Sequence, residues 1–323
     1  MNNAVVINQT GGPDVLTLQD WPIDAPGPGQ ARIRHTAIGL NFIDTYQRSG
    51  LYPMPLPFVG GNEGAGVVTA LGPDVTGLSV GQRVCYQGQI GAYAEERLVS
   101  ADRLVPIPDD IDDETAASVM LKGLTAYYLL FKTWPVQQGE TILWHAAAGG
   151  TGLIATQWAK SLGATVIGTA GGPDKVALAL AHGCDHVIDY RAEAFAPKVR
   201  ELTGGRGVDV VYDGVGKDTF EASLDCLRPR GLMASFGNAS GVVSIPDLTV
   251  LSRKGSLFVT RPTGAHYLAA REDLLAGAEA LFAAIRSGAI KVEAGRRFAL
   301  ADAADAHRAL EGRETTGSVV LIP

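Results

Sequence analysis

The sequence predicts an α/β protein in which a doubly wound parallel sheet is inserted into a β-rich domain. Three observations support this: the length of 323 residues, a series of short strands at the start, and a regular alternation of strands and helices after it. A chain of this length normally forms more than one domain. Its hydrophobic share of 46%, with 19% charged residues, is typical of a globular protein with a sizeable core.

The first region, residues 1 to about 120, consists of short apolar alternations that Gly and Pro interrupt. It includes ARIRHTAIGL, GAGVVTALG, GQRVCYQG and AYAEERLVS. Alternation of apolar and polar residues indicates half-buried strands, and the Gly and Pro residues indicate tight turns. A β-rich domain is therefore predicted here.

From about residue 122 the pattern changes to alternating strands and helices, which compact apolar runs and helical spacing of apolar residues predict in turn. These segments are TILWHAA (strand), GLIATQWAKSLG (helix), ATVIGTA (strand), PDKVALALAHG (helix) and HVIDY (strand), continued by VDVVYDGV, GLMASFG and SLFVTRP. Such an order indicates crossover units and a parallel sheet covered on both faces.

After about residue 266 the chain is expected to return to the first domain. A helix, REDLLAGAEALFAAIRSG, is followed by IKVEAGRRFAL, a second helix, ADAADAHRALEG, and a last strand, SVVLIP. We therefore predict one domain formed by residues 1–122 and 267–323, and a second formed by residues 123–266.

Charge, hydropathy and cysteine spacing argue against several classes of protein. A net charge of −7 disfavours binding to nucleic acid, which needs a basic surface. The sequence has no uninterrupted apolar run of about 18 residues, so no membrane span is expected. It begins without the pattern of a signal peptide, so a cytoplasmic location is expected. The three cysteines are far apart and form no C-x-x-C pair, which argues against a structural zinc lobe and a disulfide framework.

A run of small residues between a predicted strand and a predicted helix is the strongest chemical signal. Such a turn must be tight, must let the backbone approach a pyrophosphate, and must let the helix pack close to the strand. The helix N-terminus then presents N–H groups to the phosphates. The run predicts a dinucleotide-binding site at Ala146, Gly149, Gly150, Thr151 and Gly152.

The end of the second strand of this domain favours NADPH over NADH. An NAD site usually has a carboxylate there for the ribose 2′-hydroxyl, but this strand ends at Gly171 and Gly172. Lys175 follows within one helical turn, and an ammonium attracts the 2′-phosphate that a carboxylate would repel. Tyr190 and Arg191 follow the third strand, on the same edge of the sheet. We therefore predict NADPH as the cofactor.

The sequence also resembles that of a known superfamily. The residues that carry the resemblance are Gly61-Asn62-Glu63-x-x-Gly66-x-Val68, Gly72, Val75 and Gly81-Gln82-Arg83-Val84. They resemble the signature of the medium-chain dehydrogenases/reductases. Longer segments, among them AIGLNFIDTYQRSGLYP, LKGLTAYYLL, HAAAGGTGLIATQWAK and SLDCLRPRGLMASFGN, are similar to the zinc-independent quinone oxidoreductase (zeta-crystallin-like) branch. The resemblance implies a Rossmann domain inserted into a GroES-like catalytic domain.

The resemblance also locates the positions at which zinc-dependent relatives bind their metal. A Cys and a His of those enzymes are replaced here by Asn41 and Asn62. A catalytic zinc needs about three ligands drawn from Cys, His and carboxylate, and a neutral amide is a poor substitute. The six histidines show no metal-binding spacing. We therefore predict no metal site, and expect reduction of an acceptor that needs no Lewis acid.

A quinone is such an acceptor, because it is electrophilic without a metal. The segment that resembles the family's active-site loop contains Asn41, Asp44, Tyr46 and Tyr52. Asn41 and Tyr46 are expected to donate hydrogen bonds to a carbonyl or developing oxyanion. Tyr52 is expected to border the quinone ring, and Asp44 to orient its neighbours.

Further cofactor contacts are implied by the resemblance. Tyr128 is expected near the nicotinamide ribose, and Arg313 near the 2′-phosphate. The remaining implied contacts are Phe42, Val215, Phe236, Gly237, Asn238 and Pro262.

Two alternatives to an NADPH:quinone reductase stay open. The same cofactor and site could reduce the activated double bond of an enal or enone. A non-catalytic role, as a crystallin-like or RNA-binding protein, is the third interpretation, although the acidic charge disfavours RNA. The apolar strand SLFVTRP, predicted near the sheet edge, favours a homodimer, because an exposed apolar edge strand is otherwise a liability.

Overall fold

The computed structural model describes residues 2–292 and 295–323. The chain forms two compact units. The first unit comprises Met1–Leu124, Ala270–Phe282 and Val292–Pro323, and the second comprises Thr125–Ala269 and Ala283–Lys291. Glu293 and Ala294, in the predicted segment IKVEAGRRFAL, lie outside the described residues. The predicted limits at 122/123 and 266/267 stay predictions.

The first unit is rich in short antiparallel strands. Its N-terminal part contains β1 (Asn3–Ile7), β2 (Leu16–Asp20), β3 (Gln30–Leu40), α1 (Phe42–Ser49), β4 (Phe58–Val59), β5 (Glu63–Leu71), β6 (Arg83–Gln87), β7 (Glu96–Ser100), β8 (Val105–Pro106) and most of α2 (Asp113–Tyr127). Short 3₁₀ helices occur at Pro13–Val15 and Ala101–Arg103. One sheet has the order β2-β1-β4. Helix α1 lies within the region that was predicted to consist of short strands and tight turns, and α2 begins near its end.

The second unit alternates strands and helices as predicted. Its elements are a π-helical turn (Tyr128–Thr133), β9 (Thr141–Trp144), α3 (Gly150–Ser161), β10 (Thr165–Ala170), α4 (Pro173–Ala181), β11 (His186–Asp189), α5 (Phe195–Leu202), β12 (Val208–Asp213), α6 (Phe220–Cys226), β13 (Leu227–Ser235), α7 (Thr249–Arg253), β14 (Phe258–Thr260) and α8 (Gly264–Tyr267). The sheet order is β11-β10-β9-β12-β13-β14, and all of these pairs are parallel. The predicted doubly wound sheet is confirmed, and β14 lies at its edge.

The C-terminal part contains α9 (Arg271–Arg286), β15 (Arg297–Ala299), a 3₁₀ helix (Leu300–Asp302), α10 (Ala303–Glu311) and β16 (Val319–Ile322). Strands β15 and β16 complete a sheet of the first unit with the order β15-β16-β3-β5-β6-β8, and β7 pairs with β3. The C-terminal strand β16 thus belongs to the same sheet as β3, β5, β6, β7 and β8, and not to the sheet of β1, β2 and β4. Within the described residues, no helix has the length and apolar character that crossing a membrane requires.

Each unit has a hydrophobic core of its own. Ile33, Ile38, Leu40, Tyr86 and Tyr93 are among the buried residues of the first core. Leu143, Ile167, Val211, Phe220 and Met233 are among those of the second. Burial of such side chains removes apolar area from water. Each Å² contributes about 25 cal/mol to the free energy of folding, and this is the main favourable contribution. These cores fix the strand ends from which the candidate site residues project.

Candidate active site

The pairing of β3 with β5 brings the two asparagines of the former zinc positions together. These strands are antiparallel, with Gly39 opposite Glu63. Asn41 directly follows β3, and Asn62 directly precedes Glu63. Both asparagines are buried, with 5% and 4% of their surface exposed. The register of one strand pair therefore makes one site from two segments that lie 21 residues apart in sequence.

Asn41 is the residue before helix α1, and its backbone is extended there. The Asp44 carboxylate accepts a hydrogen bond from the Asn41 backbone N–H, with N and Oδ2 2.8 Å apart. This contact is the reciprocal half of a capping box, in which the third helical residue returns to the cap. The helix ends at Gly50, which has a φ of 84°. Local capping thus fixes the start of the segment that contains Tyr46 and Tyr52.

Asp44 is the centre of a buried hydrogen-bond network. Its Oδ1 accepts from Asn62 Nδ2 at 2.6 Å, and its Oδ2 accepts from the Tyr93 hydroxyl at 2.9 Å as well as from Asn41. Burial raises the pKa of Asp44 to about 6, while these three donors oppose the rise. The carboxylate is therefore mainly ionised at pH 7, and every donor holds it in place. This geometry suits the orienting role that was predicted for Asp44.

The network continues through Tyr93 to helix α10. His307 Nε2 lies 3.0 Å from the Tyr93 hydroxyl, and His307 Nδ1 lies 3.1 Å from Arg48 Nη1. Burial, assisted by the positive charge of Arg48, lowers the pKa of His307 to about 3, so its ring is neutral. Because a guanidinium can only donate, Nδ1 must accept and Nε2–H must donate to Tyr93. The Tyr93 hydroxyl is thereby directed at Asp44.

Arg48 is buried and joins this network to Glu311, which is partly exposed. It donates from Nη1 and Nη2 to the two carboxylate oxygens of Glu311, at 3.0 and 2.7 Å. Its Nε donates to the Gly11 carbonyl at 3.1 Å. Arg48 is 2% exposed, and His307 and Glu311 are four residues apart on α10 and therefore on one helix face. A charged residue of α1 is thus fully paired although it is buried.

A second buried network contacts the side chain of Asn41. Asn41 Nδ2 donates to Glu63 Oε1 at 2.8 Å, and Lys122 Nζ lies 2.8 Å from the same oxygen. The backbone N–H of Leu121 donates to Glu63 Oε2 at 2.6 Å. Glu63 is 0% exposed and Lys122 is 6% exposed. The amide of Asn41 is therefore anchored to a buried ion pair.

Aromatic side chains cluster on and after α1. The Tyr46 and Tyr52 rings have centroids 5.2 Å apart and meet edge to face, and the Phe42 and Tyr46 centroids are 6.4 Å apart. The Tyr52 backbone N–H donates to the Tyr46 carbonyl at 3.0 Å. Phe42 is 36% exposed, and the two tyrosines are half-buried. The structure therefore brings together Tyr46, Tyr52 and Phe42 as a partly accessible aromatic surface.

The predicted phosphate loop of the second unit lies between β9 and α3. Gly149 is the residue before the helix, and Ala146 has a φ of 54°, a value unusual for a residue with a side chain. A Cβ at Gly152 would lie 2.5 Å from the Ala146 carbonyl oxygen and 2.6 Å from that of Ala147. Only glycine fits there. The N–H groups of the first helical turn, which includes Thr151, have no intrahelical acceptors and can bind phosphate.

His145 supports this loop from below. Its Nε2 lies 2.8 Å from Ser223 Oγ and its Nδ1 lies 3.0 Å from Thr169 Oγ1. Burial lowers the pKa of His145, so the ring is neutral. The Ser223 hydroxyl donates to the Thr219 carbonyl, which leaves its oxygen to accept from His145. The histidine therefore ties the start of the loop to β10 and α6.

The edge at which β10 and β11 end contains the residues predicted to contact the 2′-phosphate. A Cβ at Gly171 would collide with the Tyr190 hydroxyl and would lie 3.1 Å from Arg191 Nε. Tyr190 is 41% exposed, and Lys175 is half-buried in the first turn of α4. Gly171, Lys175, Tyr190 and Arg191 thus belong to one edge of the sheet.

The carboxylate at this edge, Asp189, faces the backbone. Its Oδ1 accepts from the N–H groups of Gly172 and Arg191, both at 3.0 Å. These bonds lower the pKa of Asp189. The carboxylate is therefore engaged in joining the ends of β10 and β11.

The remaining predicted cofactor residues of the second unit surround the ends of β12 and β13. The Asp213 carboxylate accepts from the Val215 and Gly216 N–H groups at 2.7 and 3.2 Å, and its carbonyl accepts from the Phe236 N–H at 2.8 Å. A Cβ at Gly237 would collide with the Gly214 backbone. Asn238 and Pro262 are buried. These contacts hold two neighbouring strand-end loops against each other.

Tyr128, at the start of the π-helical turn, stacks on Tyr267 with centroids 5.1 Å apart and planes within 9°. Burial raises its pKa to about 12. Its hydroxyl is therefore protonated at neutral pH. Phe42 and Arg313, which were also predicted to contact the cofactor, belong to the first unit, and Arg313 has a φ of 59° after the end of α10.

Comparison with known proteins shows the family to which this chain belongs. Residues 27–109 match the family model described as alcohol dehydrogenase GroES-like domain, and residues 150–273 match the one described as zinc-binding dehydrogenase. The chain is 56% identical to a quinone oxidoreductase of Pseudomonas aeruginosa, over 97% of both proteins. It belongs to the quinone oxidoreductase family of the medium-chain dehydrogenases/reductases.

Two other similar proteins are a quinone oxidoreductase solved with NADPH and a 2-haloacrylate reductase. The crystal structure of Escherichia coli quinone oxidoreductase complexed with NADPH has 48% sequence identity and a TM-score of 0.98, covering 99% of this chain and 100% of that chain. A 2-haloacrylate reductase of a Burkholderia species is 48% identical over 99% of this chain and 98% of that protein.

The zinc in the name of one family model does not fit the residues of this family member. The amide nitrogens of Asn41 and Asn62 donate to the carboxylates of Glu63 and Asp44, so both side chains act here as hydrogen-bond donors, and a neutral amide is a poor zinc ligand. Across residues 2–292 and 295–323, no group of three His, Cys, Asp or Glu side chains is placed to hold a metal ion. No step of the chemistry is therefore assigned to zinc.

Sequence reasoning missed Glu63, Lys122, Tyr93 and His307 as parts of the site. Glu63 and Lys122 stand in the segments GNEG and LKGLTAYYLL, which had been recognised for their resemblance alone. For Lys122 the sequence carried a signal, because it is a charged residue within an otherwise apolar segment. For Tyr93 and His307 the sequence carries no such signal, because only the fold places them 3.0 Å apart.

Proposed function

We propose that this protein is an NADPH:quinone reductase that works without zinc. The observations that carry the proposal are the phosphate loop of the second unit and, in the first unit, an anchored amide and partly exposed aromatic rings. The full-length similarity to quinone oxidoreductases and to an NADPH complex supports it. The quinone takes up two electrons and one proton that come from NADPH, and a second proton from solvent, to become a hydroquinone.

The residues of the second unit bind the dinucleotide. The first turn of α3, which follows Gly149 and contains Gly150 and Thr151, presents N–H groups to the pyrophosphate, and Gly152 gives the room for close approach. NADPH, when bound, supplies the reducing equivalents. Lys175 and Tyr190 face the 2′-phosphate. The stacked Tyr128 borders the nicotinamide ribose.

The residues of the first unit bind and polarise the acceptor. Asn41 uses one N–H to hold Glu63 and keeps the second for a quinone oxygen. The Tyr46 hydroxyl is the second donor, and Tyr52 borders the ring. Asp44 orients both segments and transfers no proton itself. Donors that are fixed before the reaction lower the energy of a developing oxyanion without reorganisation.

A second candidate function is reduction of an activated carbon–carbon double bond. The 48% identity to a 2-haloacrylate reductase favours this possibility. An enolate oxygen needs the same donors as a quinone oxygen, so one site serves both reactions. A non-catalytic crystallin-like or RNA-binding role has less support, because the close relatives carry the names of reductases.

Steady-state rates with NADPH and two acceptor panels distinguish these functions. One panel contains benzoquinones and naphthoquinones, and the other contains 2-haloacrylates, enals and enones. We expect the highest kcat/KM for a quinone. A far higher kcat/KM for every double-bond substrate would assign the protein to the second function, and no turnover with either panel would contradict both.

We also propose that the protein acts as a homodimer in the cytoplasm. Supporting the dimer, β14 lies at the sheet edge and its Phe258 is 58% exposed. An apolar edge strand that pairs with its copy has its free N–H and C=O groups satisfied.

A further inference from the structure

The ion pair between Lys122 and Glu63 has a place in the site that its contribution to stability does not explain. A buried ion pair loses the hydration of two charges, and apolar residues of similar volume are often equally stabilising. Glu63 is 0% exposed and Lys122 is 6% exposed, so this loss of hydration applies here. The pair also contacts Asn41, the residue that the proposed function places at the acceptor oxygen.

The surroundings of Glu63 present only hydrogen-bond donors to its carboxylate. It receives three donors: Lys122 Nζ and Asn41 Nδ2 at 2.8 Å, and the Leu121 N–H at 2.6 Å. An ionised carboxylate can only accept hydrogen bonds. A Cβ at Gly39 would collide with the Glu63 carboxylate and the Ala117 carbonyl oxygen. A glycine opposite Glu63 in the strand pair thus leaves the space that the carboxylate needs.

We infer that Lys122 is a positioning residue that fixes the orientation of the Asn41 amide through Glu63. This rests on the proposed function, in which Asn41 donates to the acceptor. Since both oxygens of Glu63 accept hydrogen bonds from Lys122 and the Leu121 N–H, the Asn41 side chain presents its NH₂ group to Glu63. One N–H is held by Glu63, and the second N–H is therefore directed in a single way. A turned amide would place its carbonyl oxygen against Glu63, oxygen against oxygen.

Removal of Lys122 releases this constraint. An unpaired buried carboxylate favours its neutral, protonated form, which can donate as well as accept. Glu63 could then donate to the Asn41 carbonyl oxygen, and the amide would populate both orientations. Misdirection of one donor by about 1 Å can cost about 100-fold in rate.

The test compares Lys122→Met, Glu63→Gln and the double variant with the wild type. For each protein, kcat and KM are measured with one quinone, the Kd of NADPH by fluorescence, and Tm by calorimetry. Arg83→Met is the matched control, because it breaks the Arg83–Asp113 ion pair of the same unit, whose atoms are 2.6 Å apart. We expect the control to keep the wild-type kcat.

Lys122→Met is expected to lower kcat about 10- to 100-fold, with NADPH affinity unchanged. The double variant separates positioning from stability, since it contains no unpaired charge and its Tm should return toward the wild-type value. We expect its kcat to stay low, because the neutral amide that Glu63→Gln introduces can pair with either orientation of the Asn41 amide. A double variant that regains kcat together with Tm would overturn the inference, as would wild-type kcat in a folded Lys122→Met protein.

A measurement without substrate keeps this result apart from the proposed function. The side-chain NH₂ resonances of Asn41 are assigned by their loss in Asn41→Ser and are then recorded in Lys122→Met. A shift toward the values of a free amide supports the inference, and unchanged resonances contradict it. If the wild type reduces no quinone, the proposed function fails, while these resonances still decide the orientation of Asn41.

Discussion

The pKa values of His35, His307 and Asp44 depend on burial more than on neighbouring charges. His35 and His307 are both buried, and burial lowers the pKa of each to about 3. Burial acts on Asp44 in the opposite sense and raises its pKa to about 6. At pH 7 the two histidines are therefore neutral and Asp44 is mainly ionised. The hydrogen bonds from His307 through Tyr93 to Asp44 require these states.

The low pKa of His307 predicts a loss of stability in acid. An unfolded histidine takes up a proton below its ordinary value of 6.5, whereas the folded one stays neutral until about 3. The unfolded state thus binds more protons between these values, and the free energy of unfolding falls as pH decreases through that window. His307→Gln should reduce the slope of unfolding free energy against pH by about 1.4 kcal/mol per pH unit.

Urea unfolding at several pH values between 5 and 6.5 measures this slope. His266→Gln is the control, because His266 is exposed. Asp44, with its raised pKa, contributes the opposite slope between about 4 and 6. Equal slopes in His307→Gln and the wild type would show that His307 is protonated in the folded protein.

The choice of NADPH over NADH is expected to depend on Lys175. Lys175→Ala should weaken NADPH binding about 10- to 100-fold, because a hydrogen bond to a charged group contributes about 1.5–3 kcal/mol. NADH binding should change little, since it has no 2′-phosphate. Isothermal titration with both cofactors measures this, and Lys198→Ala, which removes a lysine paired with Glu201, is the control. An equal loss for NADH would show that Lys175 acts on the fold.

At the scale of elements, the strand–helix alternation of the second unit was predictable, and α1 was not. The segments from TILWHAA to HVIDY correspond in order to β9, α3, β10, α4 and β11. Helix α1 escapes the same reasoning because its buried residues are Asp44, Thr45, Gln47 and Arg48. Its inner face is polar, so the hydrophobic periodicity that identifies most helices is absent. Only the partners of these residues make the helix stable.

The turn from β9 into α3 should tolerate no side chain at Gly152. Gly152→Ala would place a Cβ 2.5 Å from a backbone oxygen, and the loop must shift. Overpacking of this kind costs about 1–3 kcal/mol, so NADPH binding should weaken about tenfold or more. Titration of NADPH fluorescence measures the affinity. Gly12→Ala, where an added Cβ meets nothing within 4 Å, should bind as the wild type does. Unchanged affinity in Gly152→Ala would contradict the assignment of the phosphate loop.

At the scale of the whole molecule, the first unit is assembled from both ends of the chain. Strand β16 pairs with β3, and α10 contributes the His307 and Glu311 side chains to the network around Arg48. The inserted domain thus separates, in sequence, residues that act together in one unit. The insertion of one domain into the other was predicted as part of the fold class, whereas the limits at 122/123 and 266/267 stay predictions.

The proposed homodimer makes a prediction at the same scale. Phe258→Asp introduces a charge on the edge strand β14, and like charges would oppose each other across a twofold strand pair. We expect the mass in sedimentation equilibrium to fall from that of two chains to that of one. Leu180→Asp, at another exposed apolar residue of the second unit, is the control. A wild type that sediments as a single chain would contradict the dimer.

The sequence by itself determined the fold class. It also predicts the phosphate loop and, through the resemblance to zinc-dependent relatives, the loss of the zinc ligands. Each of these depends on neighbours along the chain: hydrophobic period, small residues at a turn, or an amide in place of a thiol or an imidazole. Only the tertiary structure decided how the acceptor site is held. Asn41, Glu63 and Lys122, like Asp44, Tyr93 and His307, come from separate segments. Their hydrogen bonds exist because strand pairing and helix packing bury them together. Burial also raises the pKa of Asp44 and lowers that of His307.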